Sequence, residues 1–144
     1  MNKIFLILPV AAMVAMGCSS GQKTGVVNGR LLPCPGSPNC VSSQSPDGSH
    51  KMNPIKYNEP VTKAMEKLEA VLSREKRVKI ITSEPDYIHA VFSSNFFRFK
   101  DDVEFYADDS NKVIHFRSAS RLGYSDFGAN RKRMEKIKNA FNKE

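Results

Sequence analysis

DDVEFYADDSNKVIHFRSAS, from Asp101 to Ser120, holds two runs of alternating apolar and polar residues around a polar turn. Val103, Phe105 and Ala107 alternate with Asp102, Glu104 and Tyr106, and Ile114 and Phe116 alternate with His115 and Arg117. A period of two is the mark of a strand with one buried face. The intervening Asp108, Asp109, Ser110 and Asn111 are turn formers, so the two strands read as an antiparallel hairpin. A register with Glu104 opposite Arg117 and Tyr106 opposite His115 keeps both aromatic sets on one face; neighbouring registers remain open.

Working upstream, Tyr87 to Ser93 and Val78 to Thr82 have the β-branched and aromatic content of strands, with Glu84-Pro85-Asp86 as a tight turn between them. Val61, Ala64, Met65, Leu68, Val71 and Leu72 recur at helical spacing, which predicts an amphipathic helix over Glu59 to Ser73 with Pro60 in its first turn and Asn58 as cap. Downstream, Met134, Ile137 and Phe141 form one stripe of a second helix over Phe127 to Asn142, with Ser125 or Asp126 as cap. Two apolar stripes need a surface to bury them, and a sheet has one to offer. The expected fold is α+β: a two-layer domain with a four-stranded antiparallel meander and both helices packed on one face. Leu31 to Tyr57 precedes it, holding five of the chain's eight prolines together with Cys34 and Cys40, and reads as a Pro/Cys loop.

The N-terminus carries a different signal. Lys3, the uncharged run Ile4 to Met16, and Ala15-Met16-Gly17 before Cys18 read as a lipoprotein signal peptide over residues 1–17, with Cys18 as the lipidation site. The apolar run is shorter than the roughly 20 residues that span a bilayer. Residues 18–30 are small and polar and read as a flexible tether, leaving a single domain over residues 31–144. Location would be the cell envelope, through a lipid anchor, and Ser19 favours the periplasmic leaflet of the outer membrane over the inner membrane.

Lys plus Arg 22 against Asp plus Glu 15 give +7, and loss of Lys3 with the signal leaves +6. Outside the cytoplasm such an excess points away from nucleic acid and toward lipid head groups, lipopolysaccharide phosphates, acidic glycans or other anionic small molecules, with simple solubility as the competing reading; an envelope protein is the alternative partner.

Three constellations carry candidate chemistry. On the sheet face opposite the helices, alternation collects Tyr87, His89, Asp102, Glu104, Tyr106, His115 and Arg117, with Asp101 or Asp102 at the edge. Asp102 or Glu104 with His115 is the candidate acid–base pair. Two histidines and a carboxylate could hold a metal, but no ligand motif is present and neither metal nor cofactor is expected. The second is RSASRLGYSDFGANRKR, Arg117 to Arg133, where Arg117, Ser118, Ser120, Arg121, Asn130 and Arg131 surround a strand-to-helix turn and could clamp an anion. The third is Cys34 to Cys40, which outside the cytoplasm reads as a disulfide; a thiol nucleophile served by His50 or His115 is the alternative.

PCPGSPNCVSSQ, FRFKDDVEF and FRSASRLGYSDFGANRKR, in that order, resemble the family catalogued as domain of unknown function 1499, found in bacterial lipoproteins among others. The likeness runs from about Pro33 to Phe141. Its recurring positions correspond to Cys34, Cys40, Asp101, Asp102, Glu104, Arg117, Ser118, Ser120, Arg121, Gly123, Asp126, Asn130 and Arg131, which overlap the clusters above. The family has no established activity, substrate or cofactor, so the resemblance implies identity without function. The expectation is a lipid-anchored envelope protein that is not an enzyme and binds an anionic ligand or partner. The alternatives are a hydrolase or transferase, and a purely structural role.

Overall fold

The structure is a computed structural model and describes residues 23–144. The signal peptide and Cys18 therefore lie outside the described residues. Among the described residues no helix is long and apolar enough to cross a membrane.

Four long strands form the expected meander: β5 (Val78–Ser83), β6 (Tyr87–Ser93), β7 (Lys100–Asp108) and β8 (Val113–Ser120), each antiparallel to the next. The sheet is larger than four strands. The short strands β3 (Cys40–Ser42) and β4 (Ile55–Lys56) come from the proline-rich segment, and both pair with β8. β8 is long enough to hold both on its free edge, β3 against Arg117 to Ala119 and β4 against Val113 and Ile114. The Pro/Cys segment thus completes the sheet to six strands. Edge pairing also protects β8 from pairing with another chain.

The expected face assignment holds. Ile88, Ala90, Val103, Phe105, Ile114 and Phe116 are at most 1 % exposed and join Leu68, Leu72, Met134, Ile137 and Phe141 in one core. Truncating Phe105 or Phe116 to Ala would cost about 3–5 kcal/mol, the usual loss for a buried aromatic ring.

Helix α1 (Val61–Ser73) and helix α2 (Ala129–Phe141) start two residues later than the apolar spacing suggested. Pro60 is the cap rather than a first-turn residue: its extended backbone (φ −55°, ψ 144°) points its carbonyl at the Ala64 N–H, 3.1 Å away. Asn58 is not the cap; its N–H donates to the Glu59 carboxylate at 3.0 Å. Before α2, Gly128 takes φ +78°, a conformation glycine adopts at little cost. Asp126 supplies the acceptors there, from the N–H groups of Gly128 (2.9 Å) and Asn130 (2.8 Å).

One further element was unexpected. β1 (Val26–Val27) and β2 (Arg30–Leu31) form a hairpin over most of the described part of the predicted tether. Gln44 holds it by accepting from the Leu31 N–H (2.8 Å) and donating to the Gly29 carbonyl (3.2 Å), while Gly25 N–H reaches Glu104 at 2.6 Å. Gly25, Gly29, Arg30 and Leu31 are thus held by partners elsewhere in the domain, which composition alone does not reveal.

Candidate functional site

The observed register is the one that pairs Glu104 with Arg117 and Tyr106 with His115, and it continues across the sheet to His89 opposite Glu104 and Val91 opposite Asp102. The polar face is not an open one. Glu104 is 0 % exposed and Arg117 3 %. The Glu104 carboxylate accepts from Arg117 Nη1 at 3.1 Å, from the Tyr87 hydroxyl at 2.9 Å and from the Gly25 backbone. Burial, and then the charge of Glu104, push the Tyr87 hydroxyl well above its ordinary pKa.

Asp102 is equally enclosed. Arg121 donates to it through two nitrogens, at 2.8 and 2.9 Å, and His89 Nε2 lies 2.8 Å from it. Burial raises the Asp102 pKa, but the hydrogen bonds from His89 and Arg121 outweigh it and bring the carboxyl down to about 2. A carboxylate held so firmly charged is a poor proton donor. Asp102 therefore serves as a buried anion for Arg121, while Glu104 is taken up by its hydrogen bonds to Arg117, Tyr87 and Gly25.

His115 pairs with neither. Its Nδ1 lies 3.2 Å from Ser43 Oγ and its Nε2 4.0 Å from Asp108. Burial lowers its pKa, opposed by Asp108 and reinforced by Arg30, which favours the neutral ring. Serine, histidine and aspartate in a row invite a nucleophile reading. Against it, Ser43 Oγ accepts the Phe116 N–H at 2.9 Å and lies within 3.4 Å of the Phe116 carbonyl, so it completes the edge pairing of the sheet.

The turn cluster divides between the two faces. Asp101 points to the helix side, where Arg133 donates to it and to Asn130 Oδ1 (2.7 Å). Asn130, 0 % exposed, also accepts from Ser118 Oγ (2.6 Å) and donates to Ser120 Oγ (3.0 Å), the Asn39 carbonyl (3.0 Å) and Asp126 (2.7 Å). Arg131 donates to the carbonyls of Ser49 (2.8 Å) and Lys51 (3.2 Å) and so pins the loop before β4. Of the six residues expected to clamp an anion, Arg117, Ser118, Ser120 and Asn130 are buried in internal bonds, Arg131 holds a loop, and Arg121 borders an open cavity.

Cys34 and Cys40 form a disulfide, with Cα atoms 5.7 Å apart. That removes the thiol nucleophile, and His50 Nδ1 is bonded instead to the Cys40 carbonyl at 2.8 Å. No group of three His, Cys, Asp or Glu side chains suited to a metal ion occurs among the described residues.

The cavity beside Arg121 lies on the polar face at the end away from the hairpin and has a volume of about 640 Å³. Arg77, Lys79, Arg98, Lys100 and Arg121 line it, and no carboxylate does. Lys79, Arg98 and Lys100 form no ion pair with another described residue. Arg77 donates through Nε to the Ser93 carbonyl at 3.3 Å. Sequence reading missed all but Arg121, because the cations come from three separate segments. The available signal was the two-residue spacing of Arg77 and Lys79, which places both on the face of Asp102.

Fold and site together define a small α+β domain with buried acid–base pairs on its sheet and an open cavity at one end whose charged lining is all basic. The chain belongs to the family described as "Protein of unknown function (DUF1499)", whose sequence pattern matches residues 30–141. Comparison with curated proteins gives no match.

Proposed function

We propose that this protein is a lipid-anchored module of the cell envelope, held through Cys18, that binds an anionic ligand without transforming it. The observation that carries the reading is the basic cavity: five cations around one concavity, four of them without an acidic partner among the described residues, and the fifth, Arg121, paired with Asp102. Like charges held this close raise one another's energy, and an anion relieves that repulsion. This moves the binding site from the Arg117 cluster to Arg77, Lys79, Arg98, Lys100 and Arg121. The enzymatic reading loses its acid–base pair, since Glu104 and Asp102 are committed to arginines and His115 to Ser43.

The core lies between Val41 and Phe141, so a chain from Gly21 to Glu144 carries the complete domain. Thermal unfolding of that chain is expected to shift upward with inorganic phosphate, glycerol phosphate or citrate, in proportion to dose. Lys79→Glu combined with Arg98→Glu is expected to abolish the shift without lowering the unliganded melting temperature. An unchanged ligand shift in that variant would overturn the assignment.

A further inference from the structure

Eight large apolar side chains are exposed among the described residues, and six of them sit at one end of the sheet: Phe96 (87 %), Phe97 (78 %), Phe99 (50 %), Leu122 (65 %), Tyr124 (75 %) and Phe127 (92 %). They come from two connections only, β6 to β7 and β8 to α2. The sheet holds these side by side, with Ser93 opposite Lys100 and the Arg121 N–H bonded to the Lys100 carbonyl at 3.0 Å. Phe97 and Phe99 stack on each other, ring centres 5.4 Å apart, and Phe127 has φ +53°, which a bulky side chain adopts at a cost. Neither packing nor backbone conformation calls for phenylalanine at these tips. Clustered exposed aromatics of this kind mark a surface that meets an apolar partner.

The same loops border the basic cavity. Arg98 lies between Phe97 and Phe99, and Arg121 directly precedes Leu122, so cations stand beside the aromatics. Aromatic rings at head-group depth with Lys and Arg reaching lipid phosphates are the chemistry of a bilayer interface. The chain length before the domain fits. The seven residue steps from Cys18 to Gly25 reach at most about 25 Å when extended. Gly25 is bonded to Glu104, and from there to Lys100 along β7 is about 13 Å. A lipid at Cys18 can therefore lie in the plane that the aromatic tips would enter.

We infer that this end of the domain seats on an anionic phospholipid surface, with Phe96, Phe97 and Phe127 in the head-group region and lipid phosphates in the basic cavity. The second half rests on the anion-binding reading and the reach argument on the lipid anchor at Cys18, whereas the exposure of the aromatic tips is independent of both. The chain has no tryptophan, so single-tryptophan variants of the full chain report each position without background. Phe97→Trp and Phe127→Trp are compared with Val27→Trp, on the exposed hairpin, in vesicles of phosphatidylcholine alone and with phosphatidylglycerol added. Blue-shifted emission and quenching by brominated lipid are expected at 97 and 127 in the anionic vesicles, and water-like emission at 27. Water-like emission at all three positions in vesicle-bound protein would overturn the inference. Equal seating on phosphatidylcholine alone would overturn its anionic part, and a blue shift that grows with protein concentration without vesicles would assign this end to a second copy of the chain. Seating that persists in Lys79→Glu, Arg98→Glu protein with phosphate binding lost would overturn the placement of lipid phosphate in the cavity. Absence of seating in protein with the cavity cations intact, with soluble phosphate still bound, would overturn the membrane inference and leave the anion site standing.

Discussion

Arg117 distinguishes a binding residue from a structural one, and its replacement makes the strongest test of the polar face. An arginine kept for a ligand can be replaced with little loss of stability. An arginine that neutralises a buried carboxylate cannot. Arg117 and Glu104 are 3 % and 0 % exposed and bonded at 3.1 Å, and Glu104 holds two further donors, Tyr87 and Gly25. Arg117→Met keeps much of the apolar stem but leaves the Glu104 charge buried without its cation. Removing one partner of such a pair costs about 3–5 kcal/mol. For a domain of this size each kcal/mol lowers the melting temperature by about 3–6 °C, so the expected fall is roughly 10–25 °C. Glu104→Gln removes the charge while its amide oxygen can still accept from Tyr87 and Gly25. The double variant Glu104→Gln, Arg117→Met is therefore expected to melt above Arg117→Met alone, with a coupling of about 2 kcal/mol in a double-mutant cycle. Chemical unfolding of the four proteins gives the cycle directly. Strictly additive losses, or an Arg117→Met protein as stable as wild type, would refute the buried-pair account.

Two further outcomes follow from the same geometry. The Asp102 carboxyl, at about 2 when folded against 3.8 ordinarily, contributes about 2 kcal/mol that is present above pH 4 and lost as the pH falls toward 2. The stability gap between wild type and Asp102→Asn, measured by denaturant unfolding, should therefore narrow between pH 5 and pH 2; a constant gap would count against the assignment. Replacing Cys34 and Cys40 together by Ser is expected to cost about 2 kcal/mol, the loop-closure value for so short a ring. Its check is that reducing agent lowers the melting temperature of wild type and leaves the double variant unmoved.

The hairpin of β7 and β8 was legible down to its register because Val103 to Ala107 and Ile114 to Phe116 repeat with period two, and one face had to gather the aromatics. Both helices were legible for the same reason at their own period. The strands β1 to β4 were not: two or three residues are too few to show a period, and prolines and glycines around them argue for loop. The pairing of β3 and β4 is decided by β8, far away in sequence, and the β1–β2 hairpin is held by the side chain of Gln44, which no local pattern singles out. The candidate site was legible as a set of residues and not as a set of partners. Alternation placed Glu104 and Arg117 on one face, yet it could not say that Gly25 would close over them. Alternation also separated Asp101 from Asp102, neighbours that face opposite layers, but it could not say that they bind Arg133 and Arg121 respectively.

That separation explains how the buried pairs and the exposed end belong to one design. Asp101, Asp102 and Glu104 lie within four residues of β7, and each takes an arginine from a different place: Arg133 in α2, Arg121 just past β8, and Arg117 within β8. Buried pairs add little to stability relative to apolar packing, but they fix which segment lies where. Tying Arg121 to Asp102 and Arg133 to Asp101 holds both ends of the connection from β8 to α2, so the residues between them leave the sheet from a defined point. Those residues are Leu122, Tyr124 and Phe127, whose side chains are exposed beside the phenylalanine loop. With Asp101, Asp102 and Glu104 each bound to an arginine inside the domain, Lys79, Arg98 and Lys100 carry their charge into the open cavity without an acidic partner among the described residues. The same acid–base ladder that looked catalytic in the sequence is what positions a basic and aromatic edge.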